Sequence, residues 1–234
     1  YYDLTSLMDH RVGEILTELD QDGLAEETIV FFFSDHGTGI PRHKRALYDT
    51  GLKVPFIVYA PKKYQHLIPQ APGQSTDQLV SFVDFAPTVL SLAGLDIPAV
   101  MQGQAFLGAQ KVKPRQYIYA HASRVDEAYD MARCVRDKRF KYVRNFLAHL
   151  PWVQPSAYPD KAEIMQALRQ ARHSGQQTKA QQAMWGPRPP EALYDTKSDP
   201  WELKNLINSP DHQAIAQRLR QALRAWILQT CDTG

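Results

Sequence analysis

A carboxylate, an imidazole and a glycine follow one another in this sequence, just after a short apolar run. The run covers residues 29–33, and Ser34 separates it from Asp35, His36 and Gly37. Aspartate and histidine side chains are common ligands of divalent cations. A glycine beside them lets the backbone turn sharply and approach a ligand closely. Two interpretations stay open: Asp35 and His36 bind a metal ion, or Asp35 starts a turn that His36 caps.

The run at residues 29–33 is the element that must position this pair. It reads IVFFF, a continuous β-branched and aromatic stretch without polar alternation. Such a run predicts a strand buried on both faces, in the middle of a parallel sheet. Ligands of open α/β sheets gather beyond the carboxyl ends of the strands. We therefore expect Asp35 and His36 to face a common site at the end of this strand.

Periodicity and turn residues predict the remaining elements. Helices are expected at residues 3–19, 79–92, 160–172 and 210–228, and strands at 54–60, 116–121, 132–146 and 193–195. The stretch 132–146 is predicted to be a hairpin that turns at Asp137 and belongs to a sheet wet on one face. The pattern of predicted elements changes near residue 112, from helices and buried strands to short strands. This change predicts an α/β part at residues 1–112 and a smaller α+β part at 113–234.

Composition excludes several classes of function. The chain has 234 residues, of which 44% are hydrophobic and 22% charged, as in ordinary globular proteins. A net charge of +2 is too small to indicate a nucleic-acid or membrane-surface partner. No apolar stretch is long enough to predict a membrane span. The two cysteines lack CxxC spacing, so neither a zinc site nor a disulfide framework is indicated.

Five segments, in order along the chain, resemble the carboxy-terminal portion of the type I sulfatase family, in the alkaline phosphatase superfamily. They are TIVFFFSDHG, KRALYDTGLKVPFIVYAP, VDFAPTVLSLAGL, RCVRDKRFKYVRN and LYDTKSDPWELKNL. The resemblance implies a partial alkaline-phosphatase-like α/β sandwich. Residues 1–112 would be the carboxy-terminal part of its catalytic domain. Residues 113–234 would be a smaller α+β subdomain of antiparallel strands and a helix.

The resemblance also implies roles for particular residues. Asp35 and His36 match the family's second pair of metal ligands, usually around calcium, and an imidazole ligand leaves manganese, magnesium or zinc open. Lys44 matches the basic residue that holds a sulfate oxygen, so it is expected to bind substrate and to stabilise the transition state. Its alternative is a solvated surface lysine. His43 either donates a proton to the leaving group or lines the loop.

One departure from the family concerns the nucleophile. The family attacks sulfur with a formylglycine made from Cys or Ser in a C/S-x-P-x-R motif. Here Cys134 is followed by Val-Arg-Asp and Cys231 by Asp-Thr-Gly, and no serine has the pattern. We therefore expect the formylglycine in an amino-terminal half that is absent from this sequence. The chain alone is then expected to be inactive.

Function is predicted from these residues and from the resemblance together. The expected activity is hydrolysis of a sulfate ester, carried by a small molecule or a glycan and most plausibly a sulfated sugar. By resemblance, the compartment is periplasmic, secreted or lysosomal. Two alternatives stay open: a phosphate mono- or diester hydrolase of the same superfamily, and a non-catalytic remnant that binds anionic glycans or a partner protein.

Overall fold

A computed structural model describes residues 2–233, and these form two compact units. The first unit contains the described residues up to Phe33 together with Pro55–Pro114. The second unit contains Ser34–Val54 together with the described residues from Arg115 onward. The domain boundary predicted between residues 112 and 113 stays a prediction, because it refers to the catalytic domain of a longer protein.

The first unit combines helices with a short sheet. Its elements are helix α1 (Tyr2–Gln21), strand β1 (Val30–Phe33), strand β2 (Phe56–Tyr59), helix α3 (Phe85–Leu92) and 3-10 turns at Ala25–Glu27, Lys62–Leu67 and Phe82–Asp84. Helix α1 confirms the predicted periodicity, but it buries none of its residues. Leu7 and Ile15, on the predicted apolar face, are exposed.

The predicted environment of the β1 strand is wrong. Strand β1 pairs antiparallel with β2, with Val30 opposite Tyr59, and the two form a two-stranded sheet in the described chain. Phe33 is 44% exposed, although its ring packs edge-on against Phe85 at 4.9 Å. An unbroken apolar run predicts that side chains on both faces of a strand are covered. It does not predict whether the partner strand is parallel or antiparallel. Here part of the burial comes from aromatic rings of the same unit.

The second unit is an antiparallel sheet with helices. Its elements are helix α2 (Asp49–Leu52), strands β3 (Ile118–Ala122), β4 (Ala132–Arg136), β5 (Phe140–Asn145) and β6 (Glu191–Asp195), helices α4 (Glu163–His173), α5 (Lys179–Gln182) and α6 (Gln213–Gln229), and 3-10 turns at Pro159–Lys161 and Pro210–His212. The strand order is β3-β4-β5-β6 with all neighbours antiparallel. This confirms the predicted α+β texture, including the β4–β5 hairpin.

The expectation that one face of this sheet is wet is wrong. One face packs Cys134, Val143 and Tyr194 against Leu47 and Tyr48 of the segment Ser34–Val54. On the opposite face, the strand residues Val135, Tyr142 and Leu193 pack against Leu219 and Leu223 of helix α6. Both faces are therefore covered, and charged residues of the strands are buried with partners.

No helix among residues 2–233 combines the length and the apolar character needed to cross a bilayer.

Candidate functional site

The segment Ser34–Val54, here called the site loop, is closed by its own backbone. The Gly37 N–H donates to the Gly51 carbonyl at 3.0 Å, and the Lys44 N–H donates to the Thr38 carbonyl at 3.0 Å. A Cβ atom at Gly37 would lie only 1.9 Å from the Thr50 carbonyl oxygen, so position 37 accepts only glycine. These bonds place the residue Lys44 beside the turn that carries Asp35 and His36.

The side chains of Asp35 and His36 face each other. His36 Nε2 lies 3.4 Å from Asp35 Oδ2, and the carboxylate is 81% exposed. His36 Nδ1 lies 2.7 Å from the Gly37 carbonyl oxygen, which can only accept a hydrogen bond. The contact of Nδ1 with the Gly37 carbonyl turns the ring so that Nε2 faces the Asp35 carboxylate. Carboxylate oxygens and imidazole nitrogens both occur as ligands of divalent cations.

The turn interpretation explains less of this geometry. The Ser34 hydroxyl donates to the His36 carbonyl at 2.8 Å, so serine rather than aspartate bridges the turn. The Asp35 carboxylate accepts no backbone hydrogen bond among residues 2–233. A metal site nevertheless needs further ligands, because no group of three or more His, Cys, Asp or Glu side chains in the described chain could hold an ion. The metal-ligand role of Asp35 and His36 therefore stays a prediction, and these two side chains could provide only part of a ligand set.

Lys44 lies on the wall of a cavity of about 500 Å³ within the second unit. Its ammonium makes no hydrogen bond or ion pair with another side chain in the described residues. Two arginines near Lys44 have left-handed backbones. Arg42, two positions before it, has φ 67°, and Arg45, directly after it, has φ 73°. Such conformations cost free energy in non-glycine residues and are concentrated at functional sites. The left-handed residues near Lys44 thus define the path of the loop backbone at the cavity.

His43 is tied to its own loop. Its Nδ1 lies 3.0 Å from the Pro41 carbonyl oxygen, and its ring is not part of the cavity wall. We predict that the Lys44 ammonium lies about 4–7 Å from the Asp35–His36 pair, close enough to share one anion with it. No hydrogen bond joins the Lys44 ammonium to either side chain in the described part of the chain.

A buried ion network, which sequence patterns do not reveal, anchors the far end of the site loop. Lys141 is fully buried, and its Nζ lies 3.0 Å from Asp49 Oδ1 and 2.7 Å from Glu202 Oε1. Arg136 donates to Asp49 Oδ2 at 3.0 Å. The Asp49 N–H donates to Glu202 Oε1 at 2.5 Å. Strands β4 and β5 therefore hold the start of helix α2 through charged, hydrogen-bonded contacts.

The pKa values of the two carboxyl groups in this network shift in opposite directions. Burial raises the pKa of Glu202 above its usual value, against the attraction of Lys141. Burial also opposes ionisation of Asp49, but the charges and hydrogen bonds of Lys141 and Arg136 outweigh it and lower the Asp49 pKa. Asp49 is thus the ionised partner that two cations hold in place. The sequence around Asp49 does not predict this ion network. Asp49 follows the Leu47-Tyr48 pair of the site loop, and its charged partners are distant in the chain.

Comparison of the sequence with known proteins identifies related proteins of one family. The sulfatase family model matches residues 1–95. The chain is 44% identical over 228 residues to an ulvan-active sulfatase of Formosa agariphila, covering 96% of this chain and 37% of that protein. It is 28% identical over 246 residues to the human N-sulphoglucosamine sulphohydrolase, covering 99% of this chain and 47% of that protein.

A solved structure agrees with the sequence relatives. The structure of a 2-O GAG sulfatase superposes with a TM-score of 0.69 at 25% identity, covering 97% of this chain and 42% of that one. The fold is therefore part of an alkaline-phosphatase-like α/β sandwich, as predicted. The chain belongs to the sulfatase family and corresponds to the carboxy-terminal portion of its members. It spans less than half the length of these relatives.

Proposed function

We propose that this chain is part of an enzyme that hydrolyses the sulfate ester of a sulfated sugar. The observation that carries the proposal is the site loop, on which the facing Asp35 and His36 side chains and the cavity-lining Lys44 are joined by short backbone bonds. The relatives support the substrate class, since their names refer to ulvan, N-sulphoglucosamine and GAG sulfate groups.

Asp35 and His36 would hold a divalent cation together with ligands from the rest of a full-length sulfatase. Calcium is the first candidate, and the imidazole ligand leaves manganese, magnesium or zinc open. When bound, such a cation polarises an oxygen of the sulfate group. The contact of His36 Nδ1 with the Gly37 carbonyl would orient the ring so that Nε2 is directed to the cation.

Lys44 would bind a sulfate oxygen through its ammonium group. A sulfate ester is anionic, and further negative charge develops on the leaving oxygen as the S–O bond breaks. A fixed cation beside that group stabilises the transition state more than the ground state. The attacking group, a formylglycine hydrate, would come from the remaining sequence of a full-length sulfatase. His43 would then support the loop or donate to the leaving oxygen.

The test is release of inorganic sulfate from sulfated saccharides by the full-length protein. We expect Asp35→Ala to reduce the rate at least about a hundredfold, because a metal site loses one of its few ligands. Asp96→Ala, an exposed aspartate of the first unit, is the matched control and should leave the rate unchanged. Equal rates in both variants would contradict the proposal, and so would release of phosphate but not sulfate from matched esters.

A further inference from the structure

The cavity beside Lys44 is larger than a sulfate group requires. Its volume of about 500 Å³ is in the range of pockets that enclose drug-sized ligands, about 300–1,000 Å³. The site loop forms one part of its wall through Lys44, Arg45 and Tyr48, and the turn Pro159–Lys161 forms another. All of these residues belong to the second unit, so the cavity lies within one compact body.

The charged groups of the cavity wall are mostly cations. Asp130 is the one carboxylate on the wall within the described chain, and it is bound by Arg188 at 2.5 and 2.8 Å. Arg45 is paired with Asp126 at 2.8 Å. Lys44 and Lys161 are different, because neither ammonium has a hydrogen-bond or ion-pair partner in residues 2–233. Two unpaired ammonium groups on one cavity wall favour a ligand with two negative charges.

Aromatic rings form the apolar part of the same wall. The Tyr48 and Trp152 rings are in contact, with their centres 5.2 Å apart. The Arg45 guanidinium lies 5.5 Å from the centre of the Tyr158 ring. Flat apolar surfaces beside a few placed charges are typical of sites that orient a ligand with apolar faces and polar edges. A pyranose ring has this character, because its C–H groups point to its faces and its substituents to its rim.

We infer that this cavity binds the sugar segment that carries the scissile ester, and that Lys161 pairs with a second anionic group on that segment. The second group is a sulfate or a carboxylate, since an ammonium ion is a compact point charge that pairs with either anion. The inference rests on the proposed function for Lys44, which holds the first anion. It assigns to Lys161 a role in substrate selection: esters with one charge bind the same enzyme less tightly.

Equilibrium titration of the full-length protein tests this role. Added chelator stops turnover, and three disaccharides serve as probes: one with a single sulfate, one with two sulfates, and one with a sulfate and a uronic carboxylate. We expect both doubly charged probes to bind about fivefold more tightly than the first, in line with a partly exposed ion pair. Preference for only one of them identifies which anion Lys161 accepts.

Variants at position 161 make the test specific. Lys161→Gln should remove the fivefold preference and leave affinity for the singly charged probe unchanged, whereas Lys161→Arg should retain the preference. Lys204→Gln, an exposed lysine outside the cavity, should change neither value. Equal affinity of the unsubstituted protein for all three probes overturns the inference. The same loss for every probe in Lys161→Gln overturns it as well.

Sulfate release by the metal-loaded protein separates this inference from the proposed function. Sulfate release without any charge preference overturns the role of Lys161 alone. Charge-dependent binding in a protein that releases sulfate from no ester overturns the proposed function instead.

Discussion

The two compact units differ in how completely they bury their apolar residues. The second unit covers both faces of its sheet and has two clusters of buried side chains. The first unit has a long helix without a buried residue, and its two-stranded sheet leaves Ile57 60% exposed. The candidate site loop belongs to the unit with the closed core. The site loop is thus packed on a sheet with both faces covered, while the first unit leaves more of its apolar surface exposed.

The chain spans less than half the length of these relatives, and this bears on the difference in apolar burial between the two units. We expect additional sequence of a full-length sulfatase to cover the exposed residues of helix α1 and strand β2. Apolar surface of this extent on a strand and a helix favours association when it is left uncovered. The second unit needs no such cover for its own core. The following changes should therefore affect the two units unequally.

The largest effect is expected from removing the buried ammonium of the second unit. Lys141→Met leaves Asp49 and Glu202 without their shared cation in a buried environment. Loss of one partner of a buried ion pair costs about 3–5 kcal/mol of the free energy of unfolding. Urea unfolding followed by circular dichroism measures it. The matched control is Lys63→Met in the first unit, where the ion pair with Glu27 is half-exposed and its loss should change little.

A leucine pair compares the two units directly. Leu219 of helix α6 is fully buried, so Leu219→Ala should lower the free energy of unfolding by about 2–5 kcal/mol through lost burial and a cavity. Leu7 of helix α1 is 53% exposed, and Leu7→Ala should stay within about 0.5 kcal/mol in this chain. Equal losses at the two positions would show that helix α1 is packed in solution and that the contrast between the units is false.

The smallest effect is a pH dependence at the contact between helix α6 and strand β6. Hydrogen bonds from Arg220, at 2.9 Å each, lower the pKa of Glu191 from 4.5 to about 2 against the opposing effect of burial. A lowered pKa means that ionised Glu191 stabilises the fold fully above pH 4.5, and that this contribution is lost as the pH falls towards 2.

Urea unfolding at several pH values checks this sign. The difference in unfolding free energy between the unsubstituted chain and Glu191→Gln should be largest at neutral pH and should shrink between pH 4.5 and pH 2. A difference that grows on acidification would mean that the ion pair with Arg220 is absent.

Sequence patterns were sufficient for elements whose neighbours are close in the chain. Helix α6 and the β4–β5 hairpin follow from spacing of three to four and from a turn at Asp137, and both are confirmed. Patterns failed where burial depends on distant partners. The predicted wet face of the sheet is wrong, and buried Lys141 is paired with Asp49 and Glu202, which lie 92 and 61 residues away in the chain. Local periodicity cannot show such a pairing.

The candidate site was predictable to a similar degree. Asp35 and His36 are neighbours in sequence, so their proximity follows from the chain itself. The cavity could not be predicted, since it combines Lys44 of the site loop with Trp152 and Lys161, which are more than a hundred positions away. Its formation depends on how the site loop packs on the sheet of the second unit, and this packing has no short-range signature.

The metal content of the full-length protein tests the central claim, that the site loop of the second unit carries metal ligands. Purified protein is equilibrated with calcium or manganese, passed through a desalting column and analysed for metal per protein molecule. His36→Ala should lose the bound divalent ion. His66→Ala is the matched control, because His66 in the first unit also contacts a backbone carbonyl through Nδ1, at 3.1 Å, and has no carboxylate partner. The account predicts an unchanged metal content in His66→Ala and a loss in His36→Ala. A full complement of metal in His36→Ala would contradict it.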